Sequence, residues 1–310
     1  MDTRLLTRRL FLIILEGLLF KLLTGCTSTP KSIPTPRSTL KSHMQLGVYD
    51  WYQTFLPEKT QTYEHQFVSW VGYKLGQTLF PFLDRAKLRG RIPLVTIEPK
   101  ADPKLNRLRL LEDITDGRYN QTITLIGRDI AKFASPVVIR FMHEFDLPQN
   151  AYRYPWVTTN QALYMAAFRH FVTELRKHSA QYASFMWSPS GSHPVKNGFY
   201  PGADYVDHVG CSLYSFPAWD IRYFGFARTF QQIMDVNYRN LKLFNRPIVA
   251  AEFGSAKGDT QAAWVKDALL RAPDYPLLKA LVYFNAPDSA SWGYGLPNPD
   301  FGISPTIWKL

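Results

Sequence analysis

Two glutamates stand at the ends of apolar runs. "VVIRFMHE" leads from Val137 to Glu144, and "PIVAAE" leads from Pro247 to Glu252. A buried strand normally avoids ionisable groups, because stripping a charge of water is costly unless the charge is paired. Two acids in different surroundings can divide a reaction between them. Burial raises a carboxyl pKa, whereas a neighbouring guanidinium or hydrogen bond lowers it. One acid then keeps its proton as general acid, and the other stays ionised as nucleophile. At a sugar's anomeric carbon this is the machinery of retaining hydrolysis, which needs the carboxyl groups about 5–5.5 Å apart. A lone glutamate at a strand end is usually an ion pair or a cap. Two of them, with tryptophans at neighbouring strand ends, favour a site.

Positioning them requires a scaffold. The strand candidates are "QLGVYDW", "HQFVSWVGY", "IPLVTIEP", "VVIRFMHEFD", "YASFMWSPSG", "VDHVGCSLYSF", "PIVAAEFGS" and "KALVYFNAP". Between them lie stretches with apolar residues at helical spacing: "GQTLFPFLDRAKLRG", "NQTITLIGRDIAKF", "NQALYMAAFRHFVTELRKHSA", "FARTFQQIMDVNYRNLKLF" and "DTQAAWVKDALL". The strands are near-continuous apolar runs, as parallel strands covered on both faces should be. Eight of them alternating with helices imply an α/β protein, a single (β/α)8 TIM barrel. A doubly wound sheet usually carries a Gly-rich turn after its first strand, and "GVYDWYQTF" has none. Polar and aromatic residues gather at the C-terminal strand ends: Asp50 and Trp51, Trp70, Glu98, His143 and Glu144, Trp187, Tyr214, Glu252 and Asn285. A barrel brings these ends to one face, where active sites sit.

The motifs have a specific resemblance. "RFMHEF" fits the Arg-x-x-His-Glu pattern of glycoside hydrolase family 26, the family of many β-mannanases, and "PIVAAEFGS" looks like its nucleophile strand. "FMWSPSG", "YPGADYVDHVGCSLYSF" and "VYFNAPDSASW" resemble its fifth, sixth and last strands, in the same order. The resemblance implies Glu144 as general acid/base, Glu252 as nucleophile, His143 as a hydrogen-bond partner of the sugar, and Tyr214 in contact with the nucleophile. It implies Trp292 as the indole under the sugar being cleaved. Arg140 either orients a carboxylate, binds sugar or makes a structural ion pair. Trp187, Trp156, Trp70 and Trp51 extend the aromatic floor or pack in the core. Glu98 and Asp50 reach distal hydroxyls or make structural hydrogen bonds.

The implied activity is a retaining endo-β-glycosidase acting on a β-linked polysaccharide, with β-1,4-mannan first. One stretch departs from the family, whose members usually carry a Gly-x-Trp-x-Trp-like run soon after the acid/base. Here "FDLPQNAYRYPW" has no glycine, and Trp156 comes late. Mixed-linkage β-1,3-1,4-glucan and xylan therefore stay open as substrates, and so does processing of the cell's own exopolysaccharide. Two readings from other classes are a non-catalytic polysaccharide-binding lipoprotein and an envelope scaffold lipoprotein; the paired acids argue against both. No metal or organic cofactor is expected, since His143 already has a role and the other histidines lie outside HxH and HExxH arrangements.

The rest of the chain bounds location and partners. Its 310 residues, 46% of them hydrophobic, suffice for a large core. The formal charge of +11 comes without a Lys/Arg run or a zinc-finger spacing, so nucleic acid is not an expected partner. Residues 1–25 read as a lipoprotein-type signal peptide: basic Arg4, Arg8 and Arg9, then an apolar stretch ending in Leu23-Thr24-Gly25-Cys26. "TRRLFLI" also looks like a twin-arginine signal. Cleavage before Cys26 and lipidation of its thiol make an exported, membrane-anchored lipoprotein, monomeric on this reading. Residues 26–44 are a Ser/Thr/Pro-rich tether that cannot bury itself, and the catalytic domain is expected over 45–310.

Overall fold

The computed structural model describes residues 44–55, 61–101, 106–179, 181–195, 197–289 and 291–308. The expected signal peptide, nearly all of the expected tether and Cys26, the expected lipidation position, lie outside the described residues.

Eight strands form the barrel: β1 (Gln45–Asp50), β2 (Tyr63–Ser69), β3 (Ile92–Glu98), β4 (Val137–Phe141), β5 (Ala183–Trp187), β6 (His208–Ser215), β7 (Ile248–Ser255) and β8 (Leu278–Asn285). They pair in sequence order, all parallel, and β8 closes onto β1. The expected (β/α)8 barrel is therefore what the chain forms. The helices are α1 (Phe80–Leu88), α2 (Leu110–Thr115), α3 (Asn120–Phe133), α4 (Gln161–Ser179), α5 (Pro217–Phe224), α6 (Phe230–Leu241) and α7 (Gln261–Arg271). Among the described residues β1 runs into turns rather than a helix.

Apart from α5, the helices bury apolar residues against the barrel. In α3 the buried Ile123, Ile126, Ile130 and Phe133 recur at three- and four-residue steps, and each contributes about 1.5–3 kcal/mol of transfer free energy. That helix stops where Ala134 turns left-handed (φ 51°). Helix α6 begins in a reciprocal capping box between Thr229 and Gln232. Helix α5 was not visible in the periodicity. Only Asp220 of it is buried, so it has no inward apolar stripe to detect. Its bounds are set locally, by Pro217 in the first turn and by Gly225 in the left-handed conformation at the end.

The barrel interior is layered. Tyr63, Leu94, Val138, Met186, Val249, Ala251, Ala280 and Val282 form an apolar plug at its N-terminal end. Close packing there needs Gly210, where a Cβ would stand 2.5 Å from Ser188 Oγ and 2.7 Å from Met186 Sδ. Two residues further along β2, β3, β4 and β6, the inward face turns polar: His65 after Tyr63, Thr96 after Leu94, Arg140 after Val138 and Ser212 after Gly210. Outside the barrel, at the N-terminal end of β2, Glu64 meets three guanidiniums, with Arg89 at 2.6 Å, Arg91 at 3.2 Å and Arg85 at 3.8 Å.

Candidate active site

Arg140 lies two residues after Val138 on the inward face of β4 and is fully buried. A buried guanidinium needs every donor answered. Its Nη1 donates to Glu252 Oε1 at 2.5 Å, its Nε to Ser188 Oγ at 2.9 Å and its Nη2 to Ser212 Oγ at 3.4 Å. Of the roles open from the sequence, Arg140 takes the one that orients a carboxylate.

Glu252 faces inward only because β7 is irregular. Strict alternation from Val249 would put Ala251 inside and Glu252 outside. Opposite β6, Cys211 pairs with Ala250 and Ser212 with Glu252, so Ala251 is skipped. Opposite β8, three steps from Ala250 to Phe253 match two from Leu281 to Tyr283. This bulge gives β7 one extra residue and re-aims the carboxylate into the barrel mouth. There Tyr214 donates its phenol proton to Glu252 Oε2 at 2.7 Å. Burial, then the Glu252 charge, push the Tyr214 pKa well above that of a free phenol, so it remains a donor.

Glu144 sits just beyond β4 in strained backbone. Met142 and Glu144 both have φ 51°, on either side of His143. Non-glycine residues held in this region cost of order 1–3 kcal/mol each and cluster at working sites. The turn is pinned by Glu144 N–H donating to Ser188 O (2.8 Å), Tyr164 OH donating to Met142 O (3.2 Å) and Trp156 Nε1–H donating to His143 O (2.7 Å). Ser212 Oγ donates to Glu144 Oε1 at 2.6 Å, and Asn150 Nδ2 donates to Oε2 at 3.1 Å. Burial above all, then the Glu252 charge, raise the Glu144 pKa to about 7; Arg140 and the Ser212 hydrogen bond oppose the rise. Glu144 and Glu252 are thus linked through Ser212 and Arg140, two acids around one guanidinium.

His143 is buried, with Nε2 against Tyr154 OH at 3.1 Å. Its Nδ1 has no hydrogen-bond partner among the described residues. Burial, then the positive charge of Arg140, hold its pKa well below the usual histidine value, so the ring is neutral. Trp292 is half-buried, edge-on to Tyr214 at 6.0 Å, with Nε1 donating to Asp288 at 2.9 Å. Glu98 ends β3 at the mouth, 3.4 Å from Lys100 Nζ, and its charge reaches Tyr49 and Tyr154.

Three expected substrate contacts are placed elsewhere. Trp187 is fully buried among Phe145, Tyr200 and Phe244, with no face open to a sugar. Trp156 is also fully buried, stacked on Tyr154 at 4.6 Å, and serves to hold the His143 carbonyl. Asp50 Oδ1 accepts from Thr54 N–H and Asn285 Nδ2, and its Oδ2 accepts from Phe55 N–H, which fastens the turn after β1. Trp70 is buried against Tyr119, whereas Trp51 is exposed. Conversely, Ser212, Ser188, Asn150 and Tyr154 belong to the site and were not singled out from the sequence. Ser212 had a signal: it lies two residues before Tyr214 on one strand, hence on the same face. The others lie after strands, where no period marks them.

The comparisons agree with this geometry. A model of Glycosyl hydrolase family 26 matches residues 118–290, more than half of the chain. Endoglucanase H of Acetivibrio thermocellus is 28% identical over 249 residues, 74% of this chain and 25% of that protein, so the chain spans about a quarter of its length. Among solved structures, the catalytic domain of a family 26 endo-β-1,4-mannanase from Bacillus sp. JAMB-750 superposes with a TM-score of 0.60 at 14% identity, covering 86% of this chain and 85% of that one. A family 26 β-mannanase from Bacteroides ovatus gives 0.57 at 16% identity, over 79% of this chain and 81% of that one. At such identities the structures speak for the fold alone, and the family rests on the sequence match: the chain belongs to glycosyl hydrolase family 26.

Proposed function

We propose that the chain is a retaining endo-β-glycosidase that cleaves a β-linked polysaccharide by double displacement. The observation that carries the reading is the unequal treatment of two acids sharing Arg140. Glu144 keeps its proton up to about pH 7, while Glu252 accepts from a guanidinium on one oxygen and a phenol on the other. Glu252 attacks the anomeric carbon as the glycosidic C–O bond breaks, and Glu144 gives its proton to the departing oxygen. The Glu144 carboxylate then takes a proton from water. The resulting hydroxide oxygen bonds to the anomeric carbon and releases the sugar from Glu252, restoring both side chains. Trp292 offers a flat apolar face to the sugar's C–H surface.

β-1,4-Mannan is the first substrate, in keeping with the family resemblance. Mixed-linkage β-glucan is the second, favoured by the likeness to a protein named an endoglucanase and by the departure at "FDLPQNAYRYPW". The test is reducing-end release from galactomannan, mixed-linkage β-glucan, cellulose and xylan by wild type, Glu144→Ala and Glu252→Ala. Turnover of at least one polymer, abolished in Glu252→Ala, is expected; equal rates in wild type and Glu252→Ala would overturn the mechanism. We also propose export and a lipid anchor at Cys26, on the signal-like sequence alone. Membrane pelleting that survives Cys26→Ala refutes the anchor.

A further inference from the structure

Helix α5 turns its apolar residues the wrong way. Its buried residue is Asp220, clamped by Arg228 at 2.7 Å, while Tyr223 (57% exposed) and Ile221 (55% exposed) face solvent. Exposed aromatic surface of this kind usually marks a binding site. This patch is continuous with the candidate site through ring contacts. Tyr214, which donates to Glu252, meets Trp292 edge-on; Trp292 meets Trp219 at 5.8 Å; Trp219 and Tyr223 stack at 4.9 Å and 6°. Trp219 Nε1 also donates to Trp292 O at 2.8 Å. From the other side, the turn after Trp292 brings in Tyr294. Gly293, Tyr294 and Gly295 all have positive φ (79°, 56° and 68°), and the Tyr294 ring lies 6.1 Å from Tyr223. Holding a tyrosine left-handed and 53% exposed has no packing benefit of its own, and such strain is typical of functional sites.

We infer that Tyr223, Trp219 and Tyr294 form a distal sugar-binding platform, an extension of the cleft that takes pyranose units of the same polysaccharide beyond those at Trp292. The chemistry fits carbohydrate: flat rings for apolar C–H faces, with the phenol edges of Tyr223 and Tyr294 for hydroxyls. The Asp220–Arg228 clamp fixes the helix in advance, with the Arg228 guanidinium 4.3 Å over the Phe224 ring, so little ordering cost remains on binding. A lipid surface is the competing occupant for exposed aromatics, but a bilayer seated here would cover the barrel mouth. The inference rests on reading that mouth as a polysaccharide site.

The test separates the two. In a Glu252→Gln background, which stops turnover, native affinity gels with galactomannan or mixed-linkage β-glucan give polymer dissociation constants for the parent, Tyr223→Ala, Tyr294→Asn (asparagine tolerates the left-handed backbone) and Tyr223→Trp. Weakening of about tenfold for Tyr223→Ala, and retained binding for Tyr223→Trp, are expected for a stacking platform. Wild-type turnover of the same polymers is measured alongside. Equal retardation of the parent and Tyr223→Ala, or no retardation of the parent, overturns the platform even if wild type hydrolyses the polymer. Retardation lost in Tyr223→Ala without wild-type turnover upholds the platform and sinks hydrolysis. Tyr223→Ala losing capture by phosphatidylglycerol vesicles while keeping polymer retardation assigns the patch to membrane and overturns the proposal.

Discussion

The barrel holds two clusters of acid and arginine, and they are built in opposite proportions. At the N-terminal end, outside β2, one carboxylate, Glu64, faces Arg85, Arg89 and Arg91. At the C-terminal mouth two carboxylates, Glu144 and Glu252, share Arg140, and Ser212 bridges from Arg140 to Glu144. At Glu64 every carboxylate oxygen meets a guanidinium, and the cluster binds the end of α1 to the barrel. Surplus acid at the mouth means that one carboxyl must keep its proton where proteins normally ionise it, and the burial and like charge around Glu144 raise its pKa to about 7. Such an arrangement weakens the fold at neutral pH, and acids perturbed in this way cluster at functional sites. The ratio of charges, rather than the presence of an ion pair, separates the working end from the structural one.

The sharpest way to break this comparison is to remove one acid from each cluster. Glu252→Ala is expected to lower kcat/KM by a factor of roughly a thousand or more, because it deletes the proposed nucleophile and strands Arg140. Glu64→Gln leaves arginines short of a partner at a place no substrate reaches. Its expected cost is stability, about 3 kcal/mol for a broken buried pair, with kcat/KM near wild type once folded. Denaturant melts beside initial rates distinguish the two. A Glu64→Gln enzyme that folds normally yet is dead would remove the distinction between the ends.

How far this pattern could be read in advance follows from where the signals lie. The eight apolar strands and both acids at their ends are visible because parallel strands leave continuous runs and because a charge after such a run is conspicuous. The direction of Glu252 is not visible: "IVAAEFGS" reads as plain alternation, and the bulge that turns Glu252 inward exists only against the registers of β6 and β8. Trp187 and Trp156 could be assigned to neither floor nor core from the sequence, because an indole near the barrel mouth looks alike whether it lies over the mouth or under it. Trp187 is enclosed by Phe145, Tyr200 and Phe244, brought in from separate parts of the chain, and Trp156 stacks on its near neighbour Tyr154. Asp50 misled for a similar reason, since its partners Thr54 and Asn285 come from opposite ends of the barrel sequence.

The working end is also sharpened by its response to pH. Glu144 has its pKa raised by folding, from an ordinary 4.5 to about 7. The folded protein therefore binds a proton that the unfolded chain has already released, so the stabilising contribution is complete below about pH 4.5 and is lost as pH rises through 7. Glu144→Gln removes this slope. Its melting temperature should gain on wild type between about pH 4.5 and pH 7 and level off above that, measured by thermal unfolding at matched ionic strength. Parallel curves for wild type and Glu144→Gln would mean that Glu144 is not held protonated.

The finest test concerns Ser212, the only hydroxyl among the described residues that links the two halves of the mouth. The alkaline limb of kcat/KM should reflect loss of the Glu144 proton and lie near pH 7. Ser212 donates to Glu144 Oε1, and a donor favours the charged carboxylate, so it lowers the pKa that burial and Glu252 raise. Ser212→Ala should therefore move the alkaline limb upward, by about one pH unit if the bond is worth the roughly 1.5 kcal/mol of a charge-assisted hydrogen bond. Its effect at the optimum should be small beside that of Glu252→Ala, since Arg140 keeps its contacts to Glu252 and Ser188. A merely structural serine would lower the rate without moving the limb. A limb that moves downward would mean that the hydroxyl instead accepts the Glu144 proton, and the roles of donor and acceptor across Ser212 would then be reversed.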